Sequence, residues 1–111
     1  MNILITGGTG LIGKILVEKL KLKGHEVRVL TRKKTADPLE FYWNLKDQFI
    51  NESAFKNLDA IIHLAGASIS ERWTDSYKKE LFSSRIDTAN LLKIYCIANN
   101  VHLKSFISIN I

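Results

Sequence analysis

The sequence predicts a doubly wound α/β domain, a parallel sheet covered by helices on both faces. Three observations carry that expectation. Short apolar runs alternate along the chain with stretches of helical periodicity, the pattern of parallel strands joined by right-handed crossovers. The strand-like runs are continuously apolar rather than alternating, as in a sheet buried on both sides. A glycine-rich turn, Gly7-Gly8-Thr9-Gly10, joins the first strand-like run to the first helical one. The strands are expected in the order 3-2-1-4, with the chain ending after the fourth core strand.

Each element has its own signal. Asn2–Thr6 is a β-branched apolar run that reads as a buried strand. Ile12, Ile15, Leu16 and Leu20 then recur at helical spacing, with Lys14, Glu18 and Lys19 on the other side, and Gly24 stops that helix. Val27, Val29 and Leu30 give a second strand, and after the Asp37-Pro38 loop, Phe41-Tyr42-Trp43 offers a short third one. Asn51–Asn57 is compatible with one or two helical turns. Asp59–Leu64 is a further apolar strand, closed by Ala65-Gly66-Ala67. From Asp75 to about Asn99 a long helix is marked by Tyr77, Leu81, Phe82, Ile86, Ala89, Leu92 and Cys96, with Asp75 and Glu80 near its start, where the helix dipole favours negative charge. Ser105–Ile109 reads as a last strand.

Composition bounds the function. The 111 residues are 46% hydrophobic and 24% charged, which is enough for one small domain, residues 1–111, and too little for a cofactor domain plus a full substrate domain. No apolar run approaches the roughly 20 residues that span a bilayer. Met1 and Asn2 lead into Ile3-Leu4-Ile5 of the first strand-like run, so no signal peptide is expected. The single cysteine, Cys96, excludes an internal disulfide and a cysteine-cluster metal site. The expected setting is cytoplasmic, without a membrane.

The net charge of +5 is placed unevenly. Residues 1–34 carry eight Lys/Arg (Lys14, Lys19, Lys21, Lys23, Arg28, Arg32, Lys33, Lys34) against Glu18 and Glu26, a balance of +6, and the rest of the chain is near neutral. An anionic partner for that end and a solvated lysine-rich face both account for the excess. Nucleic acid is disfavoured as that partner, because the basic groups are not interleaved with aromatics.

The glycine turn is the sharpest motif. Gly8-x-Gly10-x-x-Gly13 and Gly7-x-x-Gly10-x-x-Gly13 are both dinucleotide-binding spacings, and either gains weight from standing between a strand and a helix. Glycine there permits a tight turn, close approach of backbone to a pyrophosphate, and close helix packing, while the helix N-terminus offers free N–H groups.

Thr6-Gly7-Gly8-Thr9-Gly10-Leu11-Ile12-Gly13 resembles the start of the extended short-chain dehydrogenase/reductase superfamily, in its NAD-dependent epimerase/dehydratase branch. Asp59–Ala67, Arg72-Trp73-Thr74, and Ser84-Arg85-Ile86 with Thr88 resemble, within it, the epimerase family of sugar-nucleotide epimerases. The resemblance covers essentially the whole chain. It implies a Rossmann-like domain corresponding to the N-terminal half of such a fold, with the substrate part absent, and a cofactor held by Gly7, Thr9, Gly10, Leu11, Ile12 and Gly13. It also implies that Leu64 and the small Ala65 and Gly66 lie where the cofactor crosses a strand end, and that Asn44 stands where the superfamily often has an acid near adenine.

NAD-specific sites usually place a carboxylate at the end of the second strand. That place reads Thr31-Arg32-Lys33-Lys34, with no acid. A guanidinium pairs with a 2′-phosphate that a carboxylate would repel, so Arg32 is expected to select NADP over NAD, with Lys33 or Lys34 assisting. A solvent-facing basic loop is the plainer account of the same residues. His63 is expected to be a packed strand residue, and Trp73 serves equally as cleft wall or core.

Catalytic residues are not assigned. The superfamily uses a Ser or Thr after the fourth core strand and a Tyr-x-x-x-Lys on the next helix. Its pattern puts the hydroxyl residue at Asn110 or, less well, at Ser108. The helix that would carry tyrosine and lysine lies beyond Ile111. The literal match Tyr42 to Lys46 has no helical pattern around it and is set aside. The resemblance implies the NADP(H)-binding portion of an epimerase-like oxidoreductase acting on a nucleotide sugar or related substrate; the competing expectation is a non-catalytic NADP(H)-binding regulatory or interaction module. An unpaired edge at the last strand is expected to favour self-association.

Overall fold

The computed structural model describes residues 1–8, 10–33, 35–65 and 75–110; for Ala65, residues 75–86 and Asn110 it describes the backbone alone. The elements in chain order are β1 (Asn2–Thr6), α1 (Leu11–Leu22), β2 (Glu26–Thr31), β3 (Glu40–Asn44), β4 (Phe49–Ile50), a 3-10 turn (Glu52–Phe55), β5 (Ala60–Ala65), α2 (Asp75–Ala98) and β6 (Ser105–Asn110).

The six strands form one sheet in the order β4-β3-β2-β1-β5-β6. All neighbours are parallel except β3 and β4, which form an antiparallel pair. The expected order 3-2-1-4 therefore needs correction. The sheet carries β4 outside β3, and both β5 and β6 lie on the side of β1 away from β2. A two-residue strand leaves no period in the sequence, and neighbours in a parallel sheet are fixed by crossover geometry rather than by chain order. Ile50 nevertheless earns its place, being fully buried in the core.

Alternation along each strand divides the core between the two faces. Leu4, Leu30 and Ile61 join Ile50, Ala54, Phe55, Leu58 and the α2 residues Leu91, Leu92 and Cys96. Ile3, Ile5, Val27, Val29, Ala60, Ile62 and Leu64 join Val17 of α1 on the other face. This is why β1, β2 and β5 read as nearly continuous apolar runs: their positions face a layer on one side or the other.

Both helices end in the same way. Gly24 at φ 90° and Asn100 at φ 57° adopt the left-handed conformation one residue past the cap. In α1 the N–H groups of Gly24 and His25 donate to the carbonyls of Lys21 and Leu20; in α2 those of Asn100 and Val101 donate to Ile97 and Cys96. These paired bonds satisfy carbonyls that a helix end would otherwise leave open.

The buried stripe of α1 differs from the expected one. Gly13 and Val17 are buried, with Leu16 and Leu20 half-buried, whereas Ile12 and Ile15 are each 50% exposed. Periodicity identifies an apolar face, but the neighbours decide how much of it is covered. On α2, Thr88, Leu91, Leu92 and Cys96 face the core, and Ala89 is half-buried; the side chains of Tyr77, Leu81, Phe82 and Ile86 lie outside those described. Among the described residues, no helix is long and apolar enough to cross a membrane.

Candidate functional site

Strand register brings the described residues of the predicted site to one edge of the sheet. Thr6 is level with Leu30 of β2 and His63 of β5, so Gly7 stands beside Thr31 on one side and Leu64 on the other. Thr31 is in turn level with Tyr42 of β3, and Leu64 with Ile109 of β6. Gly7, Arg32, Asn44 and Leu64 thus follow or close strands whose carboxyl ends point the same way. From β1 the chain passes first toward β2 and β3, then returns to β5 on the other side. The crevice between β1 and β5 is therefore the switch point at which open α/β sheets take their ligands.

The glycine turn is built for that crevice. Gly7 has φ +75°, and a Cβ on it would stand 2.8 Å from the Leu64 carbonyl oxygen and 3.0 Å from the Leu64 Cβ. A Cβ on Gly13 would overlap the Gly7 carbonyl oxygen and stand 2.7 Å from the Gly8 Cα. The Gly10 N–H donates to the Gly7 carbonyl at 3.2 Å, and Lys14 N–H donates to the Gly10 carbonyl at 2.9 Å as α1 begins. A Cβ on Gly10 would, among the described residues, meet nothing closer than the Gly7 carbonyl oxygen at 3.5 Å. Of the two spacings, Gly7-x-x-Gly10-x-x-Gly13 has the left-handed residue at its head; at Gly8 the obstacle is the Val29 side chain.

The start of α1 has an electrostatic opening. Gly10 is the N-cap, with no side-chain cap, and the first turn holds no acid. Among the described residues, no side-chain cap and no first-turn acid compensate the leading N–H groups and the positive end of the helix dipole, which suits an anion. Leu11 is 80% exposed and Ile12 half exposed at this mouth. A cradle that a Cβ would fill and an uncapped helix terminus both fit the pyrophosphate of a dinucleotide.

Arg32 and Lys33 are exposed directly after β2. The Thr31 Oγ1 donates to the Lys33 carbonyl at 2.6 Å, which bends the backbone between them. Asn44 is occupied locally: its Nδ2 donates to Tyr42 Oη at 3.3 Å and Asp47 Oδ2 at 3.0 Å, while its Oδ1 accepts from Asp47 N–H at 3.3 Å. It caps the turn joining β3 to β4 and brings a carboxylate, Asp47, to the same edge. Thr9, Lys34, Gly66 and the Arg72-Trp73-Thr74 stretch lie outside the described residues, as do the side chains of Ala65, Asn110 and Ser84-Arg85-Ile86.

His63 is buried and shares a 2.6 Å hydrogen bond, through Nδ1, with Thr6 Oγ1. It ties β5 to β1 beneath the glycine turn, as a packed strand residue does. Tyr42 and Lys46 fall on β3 and the turn after it, not on one helical face, and Tyr42 packs its ring 5.9 Å from that of Phe49. Ser108 is level with His63, and Asn110 with Ala65.

Charge counting alone missed Arg28. Although it belongs to the basic end of the sequence, it is buried, donating from Nε to Glu26 at 2.8 Å and from an Nη to the Ala54 carbonyl at 2.8 Å. Lys19 and Lys21 lie in the last turn of α1, where the dipole favours cations. Of the basic excess, Arg32 and Lys33 stand exposed after β2 at the candidate site. A separate hollow of about 430 Å³ lies at the opposite edge of the sheet, between Phe55, Asn57, Asn100 and His102.

The fold and its glycine turn define a Rossmann-like doubly wound domain. The model of the NAD dependent epimerase/dehydratase family matches residues 3–109, and the chain belongs to that family. It is 41% identical over 92 residues to an epimerase family protein of Staphylococcus haemolyticus, covering 80% of this chain and 30% of that protein. It superposes on the crystal structure of the human epimerase family protein SDR39U1 (isoform 2) with NADPH at a TM-score of 0.73 and 29% identity, covering 97% of this chain and 36% of the other. Against the UDP-N-acetylglucosamine 4-epimerase from Bacillus cereus the TM-score is 0.65 at 29% identity, with 95% and 36% covered. The chain thus spans about a third of the length of these relatives.

Proposed function

We propose that this chain is the NADP(H)-binding portion of an epimerase-like oxidoreductase whose substrate is a nucleotide sugar or a related compound. The observation that carries the reading is the Gly7-Gly10-Gly13 turn at the β1/β5 switch point, leading into an uncapped helix N-terminus. Gly7, Gly10 and Gly13 let the backbone approach the pyrophosphate, and the N–H groups of Leu11, Ile12 and Gly13 face its charge. Thr9 belongs to the same loop. Leu64, followed in β5 by Ala65, forms the wall on that side, Gly66 is assigned to it from the resemblance alone, and Asn44, with Asp47, borders the adenine end. When bound, the nicotinamide supplies the hydride chemistry.

The preference for NADP over NAD rests on Arg32 and Lys33, which are exposed at the end of a strand that carries no carboxylate there. The human relative solved with NADPH supports the same choice. The nucleotide-sugar class is supported by the Bacillus cereus relative, named for a UDP-sugar. The cytoplasmic setting read from the sequence remains part of this proposal.

A second reading, a non-catalytic NADP(H)-binding regulatory or interaction module, is favoured by one observation. The Tyr42/Lys46 pair is placed on a strand and its turn, where it cannot serve as the acid–base pair of a helix. β6 further supports self-association: it pairs with β5 on one side, and Phe106, Ile107 and Ile109 are each more than a third exposed.

Thermal unfolding tests the main reading. A site for NADPH stabilises the fold by about 2.7 kcal/mol at a concentration a hundred times Kd, and NADH stabilises it less at equal concentration. Equal shifts with both nucleotides would remove the NADP preference; no shift with either would remove the site.

A further inference from the structure

Arg32 reads a phosphate only if its backbone is held, and the structure shows what holds it. Thr31 closes β2, is buried, and is held by its pairing with Tyr42 of β3, one residue past the level at which Thr6 of β1 pairs with Leu30. Its β-branched side chain has little χ1 freedom. From that fixed base, Oγ1 donates 2.6 Å to the carbonyl of Lys33, two residues on. The bond bridges Arg32, so the bend is closed across the residue proposed to meet the 2′-phosphate. Arg32 and Lys33 both stay exposed.

We propose that Thr31 is a specificity-positioning residue: through its hydrogen bond to the Lys33 carbonyl it pre-forms the Arg32–Lys33 bend, and so sets the discrimination between 2′-phosphorylated and plain adenine dinucleotides. This rests on the reading of Arg32 as the 2′-phosphate partner. The physical gain is pre-organisation. A long, flexible cation on a loose loop loses more conformational freedom on binding than one on a closed bend, and that loss falls only on the ligand that uses the cation. NADH, which has no 2′-phosphate, should not register the bend.

The test is calorimetric titration of the full chain with NADPH and NADH in Thr31→Val, Thr31→Ser and Arg32→Ala variants. Valine keeps the buried shape and removes the hydroxyl; the expected result is a rise in the NADPH Kd of roughly three- to tenfold, the loss of one hydrogen bond, with the NADH Kd unchanged. Serine should restore the NADPH value. In an Arg32→Ala/Lys33→Ala background, Thr31→Val should add nothing further, because the bend then has no reader. The proposal is overturned if Thr31→Val weakens both nucleotides equally, which is a structural effect only, or if it leaves their ratio intact while Arg32→Ala collapses it. A ratio unmoved by Arg32→Ala overturns the underlying reading of Arg32 itself, and the proposal with it.

Discussion

The two edges of this sheet are built from opposite materials. At the amino edge, side chains and backbone bind the strands to one another. Asn2 N–H donates to Asp59 Oδ2 at 2.7 Å, and Asn2 Nδ2 to the Asn57 carbonyl at 2.8 Å. Lys104 Nζ lies 3.6 Å from Asp59 Oδ1, and its backbone N–H donates to the Asp59 carbonyl at 2.7 Å. At the carboxyl edge the same strands end in glycine, an uncapped helix and exposed cations. Among the described residues, one edge pairs these polar groups within the chain, whereas the other presents an uncapped helix start and exposed cations. The comparison separates residues that maintain the fold from those that define the site, and mutations at each edge should separate in the same way.

The largest effect is expected at the carboxyl edge. Gly13→Ala forces a Cβ into the Gly7 carbonyl, so it should cost about 3 kcal/mol of stability and weaken NADPH roughly tenfold or more; paired denaturation and calorimetry measure both. Arg28→Met, in the body of the sheet, removes the donor to the buried Ala54 carbonyl. It should cost about 2 kcal/mol and leave the NADPH-to-NADH affinity ratio unchanged. A changed ratio would erase the distinction between the buried arginine and the exposed one.

The amino edge is sharpened by acid. The Asn2 backbone N–H, joined by Lys104 and the N-terminal ammonium, holds the Asp59 carboxyl below its ordinary value of 3.8. Because the folded value is depressed, the stability Asp59 contributes is complete above the unfolded value and is lost as pH falls through the folded one. Asp59→Asn should therefore flatten the acid side of a melting-temperature profile below about pH 4, with nucleotide affinity untouched at neutral pH. The smallest effect on stability, within about 0.5 kcal/mol, is expected for Ile107→Lys on exposed β6; sedimentation should show self-association reduced, and an unchanged profile would remove β6 as the associating edge.

Much of this arrangement is legible in the sequence because local chemistry dictates it. The Asn2–Thr6 and Asp59–Leu64 runs name their strands, and Gly24 stops α1 where the left-handed turn falls. The glycine spacing marks the crevice before any neighbour is known. What could not be read depends on partners distant in sequence. Arg28 looks like any other cation until β2 is packed against the 3-10 turn. Asn44 gives no sign that it caps a turn until β4 folds back beside β3. Ile12 and Ile15 belong to an apolar face by spacing, yet only their surroundings show that half of each remains exposed. Thr31 precedes the basic run without revealing that it holds Lys33 in place.

The most direct test of the site is NADPH titration of the isotopically labelled chain, followed by backbone amide resonances. The largest shifts should fall on Gly7, Gly10, Leu11, Ile12, Gly13, Arg32 and Leu64, with the hollow around Asn57, Asn100 and His102 unmoved. Shifts centred on that hollow, or spread evenly over both edges, would contradict a dinucleotide site at the β1/β5 switch point.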